Sequence, residues 1–382
     1  MIYEFRARVA VESYSGDKSY LQVISASTEH SYPYTVPSAE IEVVATDGYT
    51  DYIACVDFDD IVRLQVAIKY SSHEQWVYKD IFEGRIVTPK AQWGNGSTAT
   101  FLCLGHAHEA SYKVVIAPKT FDDTTDSRLI AMSFNATEIA RTQVICPTTT
   151  TFTTAYTIDS YKKNIKDVFA DLENISGYTY YFETKCYYTS KHLLDRVEIE
   201  YKPFSSTATN QYKVINGTPR LLSADFEMNG EELSNYIVVV GGEPTGGGYY
   251  AGISYDQASW DRYGARMLST TDTNLESNAM CSKYSAGTLA LTKDLKRAGT
   301  VELMGTPEAK IGDLVQVYID KLKIQGAMIN YYLRVMRVSH QIGEGFTTSL
   351  EFGVAKKGPE EYTAEFYRKN RIINSQFFKE AA

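Results

Sequence analysis

The sequence predicts a mainly β protein, built from two similar small antiparallel β-barrels with an α+β insertion between them and a C-terminal tail. Three observations support this fold class. Short segments alternate apolar and polar residues, as half-buried strands do. Tyr, with 30 residues, and Thr are abundant, and both favour pleated surfaces. Two turn motifs each occur twice. At 382 residues the chain suits two or three domains.

The repeated motifs lie towards the two ends of the chain. Residues 60–66 (DIVRLQV) resemble residues 313–317 (DLVQV), and residues 92–98 (QWGNGST) resemble residues 341–347 (QIGEGFT). The spacing between the motifs is similar in both places, and each glycine turn leads into an alternating strand. Glycine-rich hairpin turns also recur by chance in all-β proteins. The motifs therefore indicate a weak internal duplication, in which both halves share one barrel fold.

The first predicted barrel covers residues 1–110. In its clearest strand, Val62, Leu64 and Val66 face one way while polar residues such as Arg63 face the other. This is the alternation that a barrel wall needs. Prolines and glycines divide the rest of the segment into strands and turns.

The middle domain, residues 111–215, is predicted to be α+β. Its helix is marked by apolar residues on one helical face, and Gly177 is placed to end it in the left-handed conformation. The residues of this face are Ile158, Tyr161, Ile165, Val168, Phe169 and Leu172. Residues 178–182 and 195–201 alternate as strands, and residues 148–154 (TTTTFTT) form either an exposed strand or a linker.

A buried strand is predicted at residues 234–240, followed by a glycine-rich segment at residues 241–248. That segment lacks the Lys-Ser/Thr of a P-loop and the helix opening of a dinucleotide fingerprint, so we interpret it as a flexible hairpin. Helices are predicted at residues 256–268 and 273–291, and Thr273 and Glu276 have the spacing of a capping box. One narrow face of the second helix carries Leu275, Ala279, Ser282, Ala286 and Leu289.

The C-terminal tail, residues 356–382, carries an aromatic stripe among charged residues. The stripe consists of Tyr362, Phe366, Ile373 and Phe377. A chain end of this kind, beyond a completed barrel, either docks on a partner or neighbouring subunit or folds back onto its own chain.

Composition limits the class of function. The net charge of -9 argues against electrostatically driven nucleic-acid binding, although an acidic lumen would let DNA slide past. The cysteines are odd in number and lack a CxxC pair, so they are expected to be reduced residues: Cys55, Cys103, Cys146, Cys186 and Cys281. The sequence shows neither a signal peptide nor about 18 consecutive apolar residues, and we expect a protein made in a cytoplasm without a membrane-spanning segment.

One cluster has the residue types of a metal site. Cys103, His106 and His108 offer three ligands at most, and His73 could be a fourth only if the fold brought it there. Zinc needs about four converging ligands, so a strand-to-loop junction without metal is the preferred interpretation.

Two acidic runs and four glycosylation sequons are the remaining candidate functional motifs. The acidic runs are Asp57, Asp59 and Asp60, read as a solvated strand entry rather than an acid/base pair, and Asp122, Asp123 and Asp126, which lack the Gly and Glu of an EF-hand. The sequons at Asn95, Asn135, Asn174 and Asn216 are interpreted as chance matches. GxSxG and HExxH motifs are absent from the sequence. The sequence therefore predicts no catalytic, cofactor-binding or metal-binding residue and no enzyme.

The strand and turn patterns resemble those of the baseplate hub proteins of tailed phages, including the late control protein family and related tail-tip hubs. The resemblance extends over nearly the whole chain and is carried by residues 58–66, 81–86, 103–107, 263–266, 312–315 and 350–353. It implies tail-tube-like barrels, the second of them discontinuous and formed by residues 216–245 and 299–355. Residues 246–298 then either join the middle domain or pack beside the second barrel.

The resemblance also implies a function. A trimer with two like barrels per chain would place six similar barrels in a ring, which suits a structural hub that joins a sixfold tail tube to a threefold spike or fibre. The expected partners are the tail tube or distal tail protein, the spike or fibre, and the tape-measure protein, with DNA passing through the channel. The expected location is the virion tail tip, after assembly in the host cytoplasm. The alternatives are a carbohydrate-binding adhesin and a tail-associated lysin.

Overall fold

The structure is a computed structural model, and it confirms a mainly β chain. It describes residues 4–12, 18–32, 34–45, 56–69, 75–92, 97–122, 124–135, 142–146, 156–158, 161, 163–176, 180–189, 193–209, 212–215, 220–229, 233–244, 246–273, 275, 277–293, 296–324 and 327–353. The predicted C-terminal tail, Gly177, residues 148–154, Cys55 and His73 lie outside these ranges.

The first six strands form a closed antiparallel barrel, as predicted. They are β1 (Glu4–Glu12), β2 (Lys18–Ser31), β3 (Ser38–Val44), β4 (Ile61–Lys69), β5 (Tyr78–Gln92) and β6 (Thr98–Gly105). Their order is β1-β4-β5-β6-β3-β2, and β2 pairs back to β1. Alternate residues of each strand point inwards, so Val9, Ile41, Leu64 and Phe101 are almost fully buried in one core.

The middle region follows the first barrel. It contains a 3-10 turn (His106–His108), α1 (Glu109–Tyr112), β7 (Lys119–Phe121), α2 (Ser127–Met132), β8 (Thr142–Ile145), β9 (Tyr156–Ile158), α3 (Ile165–Ile175), β10 (Tyr180–Tyr188) and β11 (Leu194–Pro203). β10, β11 and β8 form one sheet, and β7 pairs with β9.

The middle helix begins later than the sequence predicts. Val168, Phe169 and Leu172 on α3 are fully buried, but Ile158 belongs to β9. Tyr161 has φ 58°, a left-handed conformation that a helix does not accommodate. The predicted apolar spacing before Ile165 is therefore that of a strand and a turn.

Six strands in the second half repeat the order of the first barrel. They are β12 (Val214–Ile215), β13 (Leu221–Asn229), β17 (Lys296–Met304), β18 (Leu314–Ile324), β19 (Ala327–Ile342) and β20 (Phe346–Phe352). Their order, β12-β18-β19-β20-β17-β13, matches β1-β4-β5-β6-β3-β2 strand for strand. Two details differ: β12 runs parallel to β18, and no pairing between β12 and β13 is seen among the described residues.

The two barrels also agree in register. Residues 39–44 of β3 correspond to residues 299–304 of β17, because both sets oppose matching positions of β6 and β20. The register of β2 against β3 shifts between residues 23 and 25, and that of β13 against β17 between residues 221 and 223. Likewise the register of β5 against β6 shifts between residues 86 and 88, and that of β19 against β20 between residues 335 and 337. Matching irregularities confirm that both barrels share one design.

The turns before β4 and β18 match in atomic detail. Asp59 and Gly312 occupy equivalent positions and have φ of 70° and 83°. The carboxylates of Asp60 and Asp313 each accept a hydrogen bond from the amide three residues earlier, at 2.8 and 3.0 Å. These are the motifs that the sequence shows twice.

A small separate unit lies between β13 and β17. It consists of β14 (Tyr236–Val240), β15 (Ala251–Tyr255), α4 (Gln257–Tyr263), β16 (Met267–Thr271) and α5 (Asn278–Thr292). The resemblance implied that residues 216–245 belong to the second barrel, but β14 pairs only with β15 and β16 among the described strands. The glycine-rich segment connects β14 to its antiparallel neighbour β15.

Helix α5 begins at a later residue than predicted, and the face that is buried is not the predicted one. It begins after Ser277, whose side chain accepts from Met280 N at 3.2 Å, and not at Thr273. Cys281 and Ser285 are fully buried, whereas Ser282 and Ala286 are exposed. The buried face is set by the β14–β15 sheet, which the helix contacts.

Candidate assembly interface and channel face

The two barrels are joined by backbone pairing. Residues 26–31 of β2 pair antiparallel with residues 337–342 of β19. Tyr32 N also donates to Met336 O at 2.8 Å. One edge of β2 pairs with β3, and the opposite edge pairs with β1 along residues 18–22 and with β19 along residues 26–31. Such a ladder fixes two barrels side by side in one register.

The junction creates one continuous sheet that crosses both barrels. Its strand order is β5-β6-β3-β2-β19-β20-β17-β13. Directly opposed residues of an antiparallel pair point to the same face. One such row consists of Glu29, Ser339, Ser349, Glu302 and Ser223. This row lies opposite the two barrel cores, so the sheet presents a single shared outer surface.

We call this surface the acidic face. Its described side chains include seven carboxylates, Glu29, Glu40, Glu42, Asp225, Glu227, Glu302 and Glu351, and two cations, Lys90 and Arg337. Ser and Thr fill most other positions, among them Ser25, Ser27, Thr98, Thr100, Thr300, Thr347 and Ser349. The excess of negative charge repels polyanions, and the small hydroxyl side chains leave no large apolar surface.

Ion pairs and hydrogen bonds hold the acidic face at the junction. Arg337 lies between Glu29, at 2.6 Å, and Glu351, at 3.7 Å, and so bridges β2, β19 and β20. The hydrogen bond to Glu29 raises the pKa of Arg337. Ser25 Oγ donates to Glu42 at 2.9 Å. The Arg337–Glu29 contact reinforces the backbone ladder between the two barrels, and the Ser25–Glu42 bond joins β2 to β3 within the first barrel.

A cavity of about 200 Å³ lies where the first barrel, the second barrel and the middle region meet. His30 lines it, and burial lowers the pKa of His30 to about 4 despite the nearby Glu183. Tyr188 donates to Glu83, and Leu194 N donates to Glu12 at 3.2 Å, which ties the middle sheet to the first barrel. The middle region is therefore anchored to the first barrel by polar contacts.

The predicted metal residues do not form a ligand cluster. Cys103 is buried in β6, where its Sγ donates to Phe101 O at 3.7 Å. His108 Nδ1 lies 3.1 Å from Gly105 O. Burial lowers the pKa of His106 to about 3, with Arg85 and His108 as smaller contributors. Within the described ranges, no group of three His, Cys, Asp or Glu residues could hold a metal.

The described aspartates of the two acidic runs make hydrogen bonds and ion pairs within their own turns or with a neighbouring strand. Asp60 is only 5% exposed, so the prediction of a solvated strand entry is wrong for this residue; its carboxylate caps the turn instead. Asp59 pairs with Arg85 at 3.3 Å. Asp122 accepts from the hydroxyls of Thr124 and Thr125, and these bonds lower its pKa.

The remaining Asp, Asn and Cys residues named in the sequence analysis are considered by their contacts or position in the fold. Asp126 is the N-cap of α2. Asn135 makes two 2.7 Å hydrogen bonds with the Val144 backbone. Asn174 lies in α3, whereas Asn95, Asn216 and Asp123 fall outside the described residues. Cys103, Cys146, Cys186 and Cys281 are free thiols.

The sequence analysis missed the acidic face. The signal was present as alternation, for example Ser25, Ser27 and Glu29 in β2 and Thr347, Ser349 and Glu351 in β20. That pattern shows only that each strand has a polar side. Which strands place their polar sides together depends on the β2–β19 pairing, which no local pattern encodes. Of the helices described, none is long and apolar enough to cross a membrane.

Comparison with known proteins yields structural neighbours. No protein-family model and no curated sequence matches the chain. Among solved structures, the 43 kDa tail protein of prophage MuSo2 from Shewanella oneidensis is similar, with TM-score 0.61 and 12% identity over 91% of this chain and 98% of that one. Prophage tail protein gp18 from Listeria monocytogenes EGD-e gives TM-score 0.58 and 11% identity, over 94% and 98%. A tail protein from Neisseria meningitidis MC58 gives TM-score 0.57 and 10% identity, over 91% and 96%.

These similarities cover nearly the full length of each protein, so they include both barrels and the regions between them. At identities of this size they establish the architecture and not the activity. They agree with the resemblance drawn from the strand and turn motifs. The chain has the fold of these prophage tail proteins.

Proposed function

We propose that the protein is a structural component of a phage tail, a trimeric hub that joins a sixfold tail tube to a threefold spike or fibre. The observation that carries this proposal is the pair of barrels with one strand order and one register, joined edge to edge. Three chains would supply six like barrels, so a threefold assembly would present a nearly sixfold rim. The role requires no catalysis.

The acidic face supports a channel in the same assembly. If the eight-stranded sheet lines the ring, carboxylates and hydroxyls surround the opening. DNA is a polyanion whose binding to proteins depends on Lys and Arg neutralising its phosphates. A lumen that is negatively charged, like DNA itself, would let DNA pass without holding it. The tail-tube or distal tail protein, the spike or fibre, and the tape-measure protein are the proposed partners in the virion tail tip, after assembly in the host cytoplasm.

Mass and shape in solution test the proposal. We expect analytical ultracentrifugation to give three times the 42.9 kDa chain mass over a wide range of protein concentration. Electron microscopy should then show rings with six lobes. A monomer or a dimer at all concentrations would contradict the hub. Binding on a glycan array by such a monomer would favour an adhesin, and clearing of peptidoglycan in a zymogram would favour a lysin.

A further inference from the structure

The outer wall of the first barrel along β1 and β4 carries cations. Its outward-pointing residues include Arg6 and Arg8 on β1 and Arg63 and Lys69 on β4. In the closed order β1-β4-β5-β6-β3-β2, the strands β1 and β4 lie across the barrel from β6 and β3, which carry part of the acidic face. The first barrel therefore has an acidic side and a basic side, although the chain as a whole has a net charge of -9.

The two ends of this wall differ in what surrounds the cations. At one end the middle region covers Arg63, whose Cζ lies 3.9 Å from the ring centroid of Tyr188 on β10. Arg63 also pairs with Asp80 at 2.5 Å and with Glu83 at 3.6 Å. We call the other end the basic patch, and it consists of three cations and three aromatic rings: Arg6, Arg8, Lys69, Tyr20, Trp76 and Tyr78.

Arg8 is held in a fixed position within the basic patch. Its Cζ lies 4.4 Å from the ring centroid of Tyr20 and 3.8 Å from that of Tyr78. Its Nε donates to Gln65 Oε1 at 2.8 Å, and Gln65 Nε2 donates to Asp80 at 2.8 Å. Within the described part of the chain, Nη1 and Nη2 of Arg8 have no hydrogen-bond partner. The guanidinium thus presents a fixed pair of N–H donors, which is the geometry that binds a carboxylate through two hydrogen bonds.

The other two cations of the basic patch share one ring. Arg6 Cζ and Lys69 Nζ lie 4.5 and 4.6 Å from the ring centroid of Trp76, whose electrons attract both charges. Neither cation forms an ion pair with a carboxylate of the described residues, and this includes Glu4, which lies opposite Lys69 in the β1–β4 register. Because the ring is engaged by cations, the basic patch presents positive charge and not a free aromatic surface for a neutral sugar.

We propose that the basic patch binds an acidic, extended segment of another tail protein. The carboxylates of this segment pair with Arg6, Arg8 and Lys69, as two carboxylates of this chain pair with Arg63 at the covered end. Arg6 and Arg8 are two residues apart on one strand, about 7 Å, and alternate side chains of an extended segment have the same spacing. Charge complementarity across such a contact fixes its register and speeds association.

The direction of the basic patch favours a protein over DNA as the occupant, and this step rests on the ring of the proposed function. With the acidic face lining the channel, the opposite side of the first barrel points away from the axis. DNA passes inside the ring, so the outward-facing cations meet the proteins that surround the hub in the tail tip. The binding itself depends only on the basic patch and is tested on the purified protein.

The test measures binding of a fluorescent peptide of about ten residues in which Glu alternates with Thr. We expect the wild type to bind it at low salt and to release it as salt rises. A patch variant, Arg6→Gln with Arg8→Gln and Lys69→Gln, should bind about tenfold more weakly. The same peptide with Gln in place of Glu should not bind. Arg8→Lys alone keeps the charge and loses the paired donors, so it should give a smaller loss. This conservative variant carries the test if the triple variant does not fold.

A matched control removes three exposed cations outside the basic patch, Lys113→Gln with Lys213→Gln and Arg262→Gln. Both triple variants change the net charge from -9 to -12, because each loses three positive charges. The control should bind the peptide as the wild type does. Equal affinities of the patch and control variants would overturn the proposal. Tighter binding of an oligothymidylate of the same length would make the basic patch a phosphate site and would overturn the protein partner.

The outcomes also separate this inference from the proposed function. A ring of three chains that does not bind the peptide overturns the basic patch and leaves the hub intact. A monomer that binds it, with a loss in the patch variant, supports the acidic partner and overturns the ring. If isolated chains bind the peptide and assembled rings do not, assembly buries the basic patch, and its outward direction is overturned.

Discussion

Asp60 and Asp313 hold equivalent turns at the entrance to each barrel. Each carboxylate folds back onto the amide three residues earlier, and burial raises the pKa of Asp313. Tyr212 also donates to Asp313 at 2.9 Å. The repeated Asp could be found from the sequence, but its burial could not, because an Asp before a strand is equally compatible with a solvated turn.

His340 is a buried polar side chain at the junction of the barrels. Its Nδ1 lies 3.0 Å from Thr348 Oγ1, and that hydroxyl accepts from Thr306 N at 2.9 Å. The Thr348 hydroxyl can donate its own proton to Nδ1 only if the ring is neutral. Burial lowers the pKa of His340 to about 4. The folded protein therefore disfavours the protonated imidazole.

We predict that His340 makes the protein less stable as the pH falls. An unfolded histidine titrates near pH 6.5, and the folded one near 4. Between these values only the unfolded state binds the proton, so the free energy of unfolding decreases as the pH is lowered, by about 2 kcal/mol between pH 7 and pH 5. Urea denaturation of His340→Gln should show a loss smaller by about this amount. Equal losses in both proteins would contradict the assignment.

At the scale of the element, strands were easier to predict than helices. Period-two alternation in β4 and β20 reflects one buried face and holds whatever the partner strand is. For α5, Ser282 and Ala286 of the predicted stripe are exposed, and Leu275 is buried but lies before the helix. The buried side includes Cys281 and Ser285, small residues that carry little hydrophobic signal. They are buried because the sheet comes close to the helix.

Gly252 allows this close approach, and its substitution gives the second prediction. A Cβ at this position would lie 2.2 Å from the backbone carbon of Cys281. Backbone atoms cannot move aside as a flexible side chain can, so Gly252→Ala should separate α5 from β15. We expect destabilisation of about 3 kcal/mol. Hydrogen exchange should show faster exchange in α5 and β14, with the barrels unchanged.

Gly246→Ala is the matched control for this prediction. Gly246 lies in the connection between β14 and β15, and a Cβ there has no atom within 4 Å. The change should alter stability by less than about 0.5 kcal/mol. If Gly252→Ala were as mild as this control, the contact between α5 and β15 would not be the packing constraint described above.

For the whole molecule, the sequence shows that two short motifs are repeated, and the structure shows that the repeat extends to a six-strand order. Only two short motifs match in sequence, yet strand order and register shifts agree over the barrel. Side chains at equivalent core positions differ, as with Leu64 and Val317 or Phe101 and Leu350, because a core needs matching volume and not identity. The β2–β19 junction left no sequence signal, since backbone pairing uses atoms that every residue has.

The charge of the acidic face gives the last prediction, which concerns the assembled protein. Glu40, Asp225 and Glu302 project from this face on three different strands. Reversing all three to Lys changes the net charge per chain from -9 to -3, because each reversal adds two charges. The control reverses Asp195, Glu243 and Asp261, exposed residues outside the acidic face, and changes the net charge equally.

If the acidic face lines a closed channel, the two triple variants should differ in how they hold DNA. The face variant should retain linear duplex DNA at low salt and release it steeply as salt rises, because lysines in the lumen would bind phosphates. The control and the wild type should retain little. A preassembled ring admits DNA only through a free end, so covalently closed circular DNA should not be retained by the face variant. Equal retention of linear and circular DNA would place the acidic face on the outside of the assembly and would remove the charge argument for a channel.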